Sequence, residues 1–179
     1  MRIDVKGSES RAAVKVRKYR ESDYDSCRSL WVELTLWHRQ IYKDASIGGS
    51  DAGGHFDSHL KEHGPKSIWV AEIEGRIVGM TGLIMNNREY ELEPLIVSAS
   101  QRGHGVGRTL AQIIIDTARK KGAQSLNVRP VARNDPAIRF FHGLGFDTLG
   151  HVQMFIDFSS PNRKKWKEKR RLAGKDFRY

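Results

Sequence analysis

The sequence contains a single cysteine, Cys27, in 179 residues. One cysteine cannot form an internal disulfide, which fits a reducing compartment. On an amphipathic helix such a thiol is mostly packing material, with a reactive nucleophile as the alternative. The sequence also lacks any apolar run long enough to span a bilayer, and its first residues, MRIDVKG, lack the apolar core of a secretory signal. We therefore expect a cytoplasmic protein without membrane association.

Negative charge is scarce at the C-terminal end. The formal net charge is +10, from 31 Lys and Arg against 21 Asp and Glu. Nine basic and two acidic residues lie between positions 163 and 179, a net charge of +7 there, which leaves about +3 for the remainder. The length suits one domain. We expect a polar arm over residues 1–13, a folded domain over 14–158 and a basic tail over 159–179.

Hydrophobic periodicity and turn residues predict a mixed α/β domain. Strands are predicted over residues 14–19, 67–73, 76–85, 89–98, 125–131 and 151–158. Helices are predicted over residues 22–42, 55–63 and 136–144, with one more that follows the glycine stretch described next and ends near residue 121. The dipeptide Glu74-Gly75 predicts a hairpin turn, and Pro94 interrupts the fourth strand.

Three glycines at alternate positions stand out in QRGHGVGRTL, residues 101–110. A dinucleotide-binding turn requires the spacing G-x-G-x-x-G and an acidic residue about twenty positions later. A P-loop requires a lysine after its last glycine. The sequence has neither pattern. What remains is a strand-to-helix turn whose backbone N–H groups form an anion pocket for a phosphate or diphosphate, or simply a solvated glycine turn.

Three segments together resemble the GNAT superfamily of acetyl-CoA-dependent N-acetyltransferases. RGHGVG, residues 102–107, is similar to that family's R/Q-x-x-G-x-G/A signature. ELEPLIVSAS precedes it and resembles the fourth strand, while NDPAIRFFHGLGF follows and resembles the N-x-x-A-x-x-F-Y-x-x-x-G-F segment. The resemblance covers roughly residues 14–158. It implies a mostly antiparallel sheet with splayed fourth and fifth strands, flanked by helices.

The resemblance also implies which residues bind acetyl-CoA. Backbone groups of Leu95, Ile96 and Val97 would face the thioester and the pantetheine arm. The diphosphate would be held by Arg102, Gly103, His104, Gly105, Val106, Gly107 and Arg108. Further along the chain, the pantetheine would contact Asn134, Ala137, Phe140 and Phe141, although packing of an amphipathic helix would equally explain the last three.

Acetyl transfer to an amine requires a neutral nucleophile, because an ammonium has no lone pair. With a pKa near ~10.4, only about one amine in a thousand is neutral at pH 7. Glu89, Glu91 and Glu93 alternate on one face of a strand, and Glu91 best matches the glutamate of aminoglycoside-type acetyltransferases. Glu91 is therefore the candidate base and the Val97 N–H the candidate oxyanion donor. A solvent-exposed charged face is the alternative.

The resemblance leaves the general acid open. Phe141 stands where a tyrosine often protonates the departing thiolate. Water, unassisted departure, or a tyrosine such as Tyr42 or Tyr90 would have to replace it. The residues His55, His59 and His63 recur at helical spacing, but zinc ligands usually come from more than one element. We expect no metal and assign these histidines to an acceptor-side lid with Asp44, Asp51 and Asp57.

The predicted acceptor is a primary amine of a small cationic molecule, attracted by the glutamates and the acidic loop. A protein N-terminus or lysine side chain is the second choice. The basic tail, with its aromatic residues, suggests a different class of function, in which the domain positions the tail on RNA or a ribosome. A solvated or partner-docked C-terminal helix is the alternative for the tail. The sequence leaves a homodimer open.

Overall fold

The computed structural model describes residues 13–156, 158 and 168–179. The elements in these ranges are β1 (Lys15–Lys18), α1 (Tyr24–Tyr42), α2 (Gly54–His63), β2 (Ile68–Ile73), β3 (Arg76–Asn86), β4 (Glu89–Val97), α3 (Val106–Lys120), β5 (Ser125–Asn127), α4 (Asp135–His142), β6 (Lys169–Leu172) and β7 (Lys175–Arg178). Five strands form one sheet in the order β1-β2-β3-β4-β5, antiparallel except for the parallel β4–β5 pair. The predicted mixed, mostly antiparallel α/β fold is confirmed.

Apolar side chains cover both faces of the sheet, because successive residues of a strand point to opposite sides. On one face, α1 and α2 pack through Leu30, Trp31 and Phe56 against residues such as Val70 and Ile96. On the other face, α3 and α4 pack through Ala111, Ile114 and Phe141 against Leu83, Tyr90 and Leu92 of the sheet. The apolar stripe of α1 therefore faces the core.

The strand β4 leaves regular pairing in two ways. Its pairing with β3 shifts between Thr81 and Leu83, where Gly82 faces the Glu93–Pro94 peptide. A Cβ at Gly82 would lie 2.2 Å from the Glu93 oxygen, so only glycine fits this bulge. The pairing of β4 with β5 covers Glu89–Glu91 and stops where β5 itself ends, at Asn127. The rest of β4 therefore has no partner on that side among the described strands, which agrees with the predicted splay of the fourth and fifth strands.

The turn between β2 and β3 also matches its prediction. Glu74 and Gly75 have φ values of 49° and 78°, and the flanking residues Ile73 and Arg76 are paired. Two left-handed residues between paired strands form the turn type that suits the strand twist. The dipeptide was sufficient to predict this connection.

Three predictions at the C-terminal side are wrong. Residues 151–156 form no strand and their side chains are exposed. Their alternating pattern is a local signal, but a strand also needs a partner, and none of the described strands pairs with this stretch. The strand predicted over residues 125–131 ends at Asn127. Residues 168–179 contain the hairpin β6–β7 instead of a helix, and the rest of the tail, 159–167, lies outside the described residues.

Candidate active site

The turn between β4 and α3 depends on two left-handed glycines. Gly103 has a φ of 77° and Gly105, the residue before the first turn of α3, has a φ of 88°. Residues with a Cβ rarely adopt this conformation. A Cβ added at either glycine would have no atom within 4 Å, so the turn borders open space. The glycines therefore shape a backbone that a ligand can approach closely.

Among the residues that the structure describes, the backbone N–H groups of this turn have no protein partners. The N-terminus of α3 has no side-chain cap, and its first helical hydrogen bond is donated by Thr109 to Gly105 at 3.0 Å. Within the ranges that the structure describes, no protein acceptor receives a hydrogen bond from the N–H groups of residues 103–108. Unpaired donors at a helix N-terminus carry partial positive charge. This arrangement fits the diphosphate of acetyl-CoA.

Val97, at the end of β4, directs its N–H toward the gap left by β5. Ser98 donates its N–H to Val78 at 2.9 Å, across the β3–β4 pair. Because the N–H groups of neighbouring strand residues point to opposite sides, the Val97 and Leu95 N–H groups face away from β3. Ile96 lies between them, with its N–H facing β3 and its side chain in the core beneath α1. The Val97 N–H thus points away from β3, into the space beside β4 where β5 has ended.

Helix α4 packs beside the first turn of α3 and the end of β4. A Cβ at Gly107 would lie 3.4 Å from the Phe140 ring and 3.5 Å from the Val97 side chain, so the first turn of α3, the end of β4 and α4 meet there. Asn134 precedes α4, and its side-chain oxygen accepts the Ala137 N–H at 3.2 Å. Three predicted cofactor residues, Val97, Gly107 and Phe140, therefore lie close together.

Glu91 is half-buried and paired with an arginine. Its Oε2 lies 3.0 Å from Arg129 Nη1, and only 13% of the Glu91 side chain is exposed, against 78% for Arg129. Burial raises the pKa of Glu91 above its ordinary value. The nearby Arg129 and His63 lower that pKa, and Glu93 raises it, without reversing the shift. A carboxylate with a raised pKa near the splay is suited to proton transfer.

A sequence profile described as the acetyltransferase (GNAT) family matches residues 25–146. This match covers most of the chain and includes β4, the glycine turn and α4. The chain belongs to the GNAT acetyltransferase family.

Individual GNAT relatives agree with this assignment. N-acetyltransferase family 8 member 2 of Rattus norvegicus is 31% identical over 105 residues, 55% of this chain and 46% of that protein. N-acetylaspartate synthetase of Xenopus tropicalis is 27% identical over 100 residues, 55% of this chain and 36% of that protein. The chain thus spans about half or less of the length of these relatives.

A solved GNAT structure shares the fold. The PaiA N-acetyltransferase of Thermoplasma acidophilum, solved in complex with coenzyme A, has a TM-score of 0.61 and 16% sequence identity. The match covers 74% of this chain and 88% of that protein. At this level of identity the likeness concerns the fold, and it agrees with the sheet order described above.

Three other candidates of the GNAT domain, Tyr90, Phe141 and Cys27, are buried. Tyr90 is buried on the α3 face of the sheet, opposite Glu91. Phe141 is buried against Phe146, with ring centroids 5.6 Å apart. Burial raises the pKa of Cys27 to about 12, so its thiol stays protonated and the nucleophile alternative fails. Tyr42 lies at the end of α1, and the Arg133 guanidinium lies over the Tyr42 ring, 4.8 Å from the ring centroid.

The three histidines of α2 do not share one environment. His59 is buried against Trp31, and burial together with His63 lowers the pKa of His59 to about 4. His55 is exposed. In the described ranges, no three His, Cys, Asp or Glu side chains are grouped so that they could hold a metal ion. In the same ranges, no helix has the length and apolar character needed to cross a membrane.

Sequence reasoning missed the partners that these site residues acquire from distant parts of the chain. Arg129, just after β5, pairs with Glu91. Glu33 and Trp37 of α1 contact the turn that precedes α3. Asp51 of the loop before α2 and Asp57 in the first turn of α2 pair with Arg28 instead of standing free. No local pattern marks such partners, because they become neighbours only when the helices pack on the sheet.

Proposed function

We propose that this chain transfers an acetyl group from acetyl-CoA to a primary amine of a small cationic molecule. The observation that carries the proposal is the row of unpartnered N–H groups at residues 103–108, which continues to the gap beside Val97. The curated relatives match only part of their length to this chain, so their names support an N-acetyltransferase activity without specifying the acceptor.

In this proposal the backbone of residues 102–108 binds the diphosphate, with Arg102 and Arg108 adding positive charge. Leu95 and Val97 offer backbone N–H groups to the pantetheine arm and the thioester. The residues Asn134, Ala137 and Phe140 form the far wall, while Phe141 is buried in the core. Acetyl-CoA supplies the activated acetyl group, and the protein holds its carbonyl carbon beside the amine.

The chemical step requires a proton acceptor and an oxyanion donor. Glu91 accepts the proton of the incoming ammonium, directly or through water, and its raised pKa brings the carboxylate nearer to the pKa of the amine. The Val97 N–H donates to the carbonyl oxygen as negative charge develops on it. We assign no protein residue as general acid, since Phe141 cannot donate a proton.

Charge around the gap supports a small cationic acceptor. Glu89 and Glu93 are exposed on the same strand as Glu91. Asp51 and Asp57 pair with Arg28, so their negative charge is already balanced and does not attract the acceptor. Arg129 likewise balances part of the Glu91 charge. The name of the N-acetylaspartate synthetase relative supports a small molecule over a protein acceptor.

The test is a coenzyme A thiol-release assay of the full chain with acetyl-CoA and four amines: spermidine, aspartate, a lysine peptide and a free N-terminal peptide. We expect the highest kcat/KM with spermidine. A preference for either peptide would favour the second-choice acceptor. Salt-dependent RNA binding without acetyl-CoA binding would favour the RNA alternative, and no transfer to any amine would contradict the proposal.

A matched variant tests the base. Glu91→Gln should lower kcat/KM about 100-fold at pH 7 and much less at high pH, where the amine is already neutral. Since the raised pKa means that the folded protein disfavours ionised Glu91, the variant should be as stable as the wild type, or more stable, at pH 7. Glu74→Gln, an exposed change in a distant turn, is the control. An equal loss at every pH would remove Glu91 as the base.

A further inference from the structure

Helix α1 holds the turn between β4 and α3 at its beginning. One carboxylate oxygen of Glu33 accepts the Ser98 hydroxyl at 3.2 Å, and the other accepts the Ala99 N–H at 3.0 Å. Ser98 precedes a short 3-10 turn, Ala99–Gln101, and does not cap that turn with its own side chain. Glu33 therefore supplies the cap from a distant helix.

The same face of α1 contacts the end of this turn. Trp37 lies one helical turn after Glu33, and the Arg102 guanidinium sits 5.8 Å from its ring centroid. Arg102 also donates through Nε to the Val97 oxygen at 3.1 Å. The Arg102–Val97 hydrogen bond thus joins the two ends of residues 97–102, and Glu33 and Trp37 attach this segment to α1 near its start and at its end.

This fixed segment lies between the two groups of donors that the proposed function uses. The Val97 N–H comes immediately before it, and the N–H groups of residues 103–108 come immediately after it. A rotation of Ser98 or Ala99 would turn both groups, because they are joined through a few backbone bonds. Control of this segment therefore controls the direction of the donors.

We propose that Glu33 is a positioning residue that orients the Val97 N–H and the phosphate-binding turn, with Trp37 supporting it from the next helical turn. The proposal rests on acetyl-CoA as the ligand of this turn. A carboxylate close to a diphosphate is unfavourable by charge alone, so Glu33 contributes through its two hydrogen bonds and not through its charge. In this role Glu33 acts through its hydrogen bonds to Ser98 and Ala99 and not through contact with the ligand.

The distinction between hydrogen bonding and charge gives the test. Glutamine keeps an oxygen to accept the Ala99 N–H and an amide to donate to the Ser98 oxygen, while alanine keeps neither. Acetyl-CoA affinity should therefore fall about tenfold in Glu33→Ala and stay within about threefold of wild type in Glu33→Gln. Ser98→Ala removes one of the two bonds without altering the helix, and should have a smaller effect in the same direction.

The measurements are the Kd for acetyl-CoA by titration calorimetry and the melting temperature, both on the full chain. Gln40→Ala, an exposed change on the same helix, is the control and should leave the Kd unchanged. In a double-mutant cycle, Glu33→Ala and Ser98→Ala should be non-additive, because they break the same bond.

Two results would overturn the positioning role. One is an unchanged Kd in both Glu33→Ala and Ser98→Ala. The other is a Glu33→Gln protein as weak as Glu33→Ala, which would mean that the charge itself acts. If wild-type protein fails to bind acetyl-CoA, the proposed function fails with it, whereas normal binding by wild type and all variants refutes the positioning role alone.

Discussion

Gly105 and Gly122 stand at the two ends of α3 in similar left-handed conformations. Their φ values are 88° and 75°, and a Cβ at either position would have no neighbour within 4 Å. Their structural demands are therefore alike. They differ in what surrounds them, because only Gly105 is followed by the unpaired N–H groups of the turn.

This pair allows the binding role of a glycine to be separated from its backbone role. Valine at either position should destabilise the fold by about 1–2 kcal/mol, the cost of a left-handed residue with a Cβ. Only Gly105→Val should also weaken acetyl-CoA binding, by about tenfold or more, since relaxation of the backbone turns the donors away. Urea unfolding and calorimetry measure the two effects. Equal acetyl-CoA affinity in the two variants would contradict the phosphate role.

At the scale of elements, Arg17 joins β1 to the turn before α1 and to β2. Its guanidinium donates to both carboxylate oxygens of Asp23, at 2.7 and 2.9 Å, and to Glu72 at 2.8 Å. Asp23 is 4% exposed and also accepts the Arg20 N–H at 2.8 Å. This network fixes where α1 begins, and hence where Glu33 and Trp37 stand.

Stability should depend on pH through this network. The Arg17 hydrogen bonds hold the pKa of Asp23 below its ordinary value. A lowered pKa in the folded state means that the carboxylate stabilises the fold above about pH 4 and loses this effect as pH falls further. Asp23→Asn should therefore cost about 3 kcal/mol at pH 7 and about 1 kcal/mol less than that at pH 3.

Urea unfolding at the two pH values checks this expectation. Asp25→Asn is the control, because Asp25 is exposed in the first turn of α1. A difference between Asp23→Asn and wild type that stays constant with pH would show that the ionised carboxylate is not the source of stability.

At the scale of the whole molecule, the basic C-terminal region is partly used for packing. Arg170 of the β6–β7 hairpin forms an ion pair with Asp135 at the start of α4, and its guanidinium lies 4.6 Å from the Tyr179 ring. The Arg133 guanidinium donates to the backbone oxygen of Tyr179. It also donates to the backbone oxygens of Ile41 and Tyr42 at the end of α1, both at 3.3 Å. The hairpin is thereby attached beside Asn134.

Loss of this attachment should be visible in the hairpin itself. Arg170→Ala should speed amide hydrogen exchange over residues 170–178, because the ion pair and the ring contact are both removed. Lys169→Ala, an exposed neighbour on the same strand, should leave the exchange unchanged. Hydrogen exchange with mass spectrometry measures the comparison, and equal rates in the two variants would contradict docking through Arg170.

Much of the fold was predictable because its signals are local. The alternation in β2 to β4, the apolar stripe of α1, the Glu74-Gly75 turn and the glycines before α3 each act within a few residues. The same reasoning failed where a local pattern needed a distant partner, as for the strand expected over residues 151–158. It placed Glu91 on its strand without detecting Arg129.

The sequence by itself determined the α/β class, the positions of the glycines and the spacing that relates this chain to the GNAT family, because backbone conformation and hydrophobic periodicity are properties of short segments. Only the tertiary structure decided that Glu33 caps the turn at Ala99, 66 residues away, that Arg129 balances Glu91 and that the C-terminal hairpin attaches to α4. Those contacts arise when helices pack on the sheet, and no short segment of the sequence encodes them.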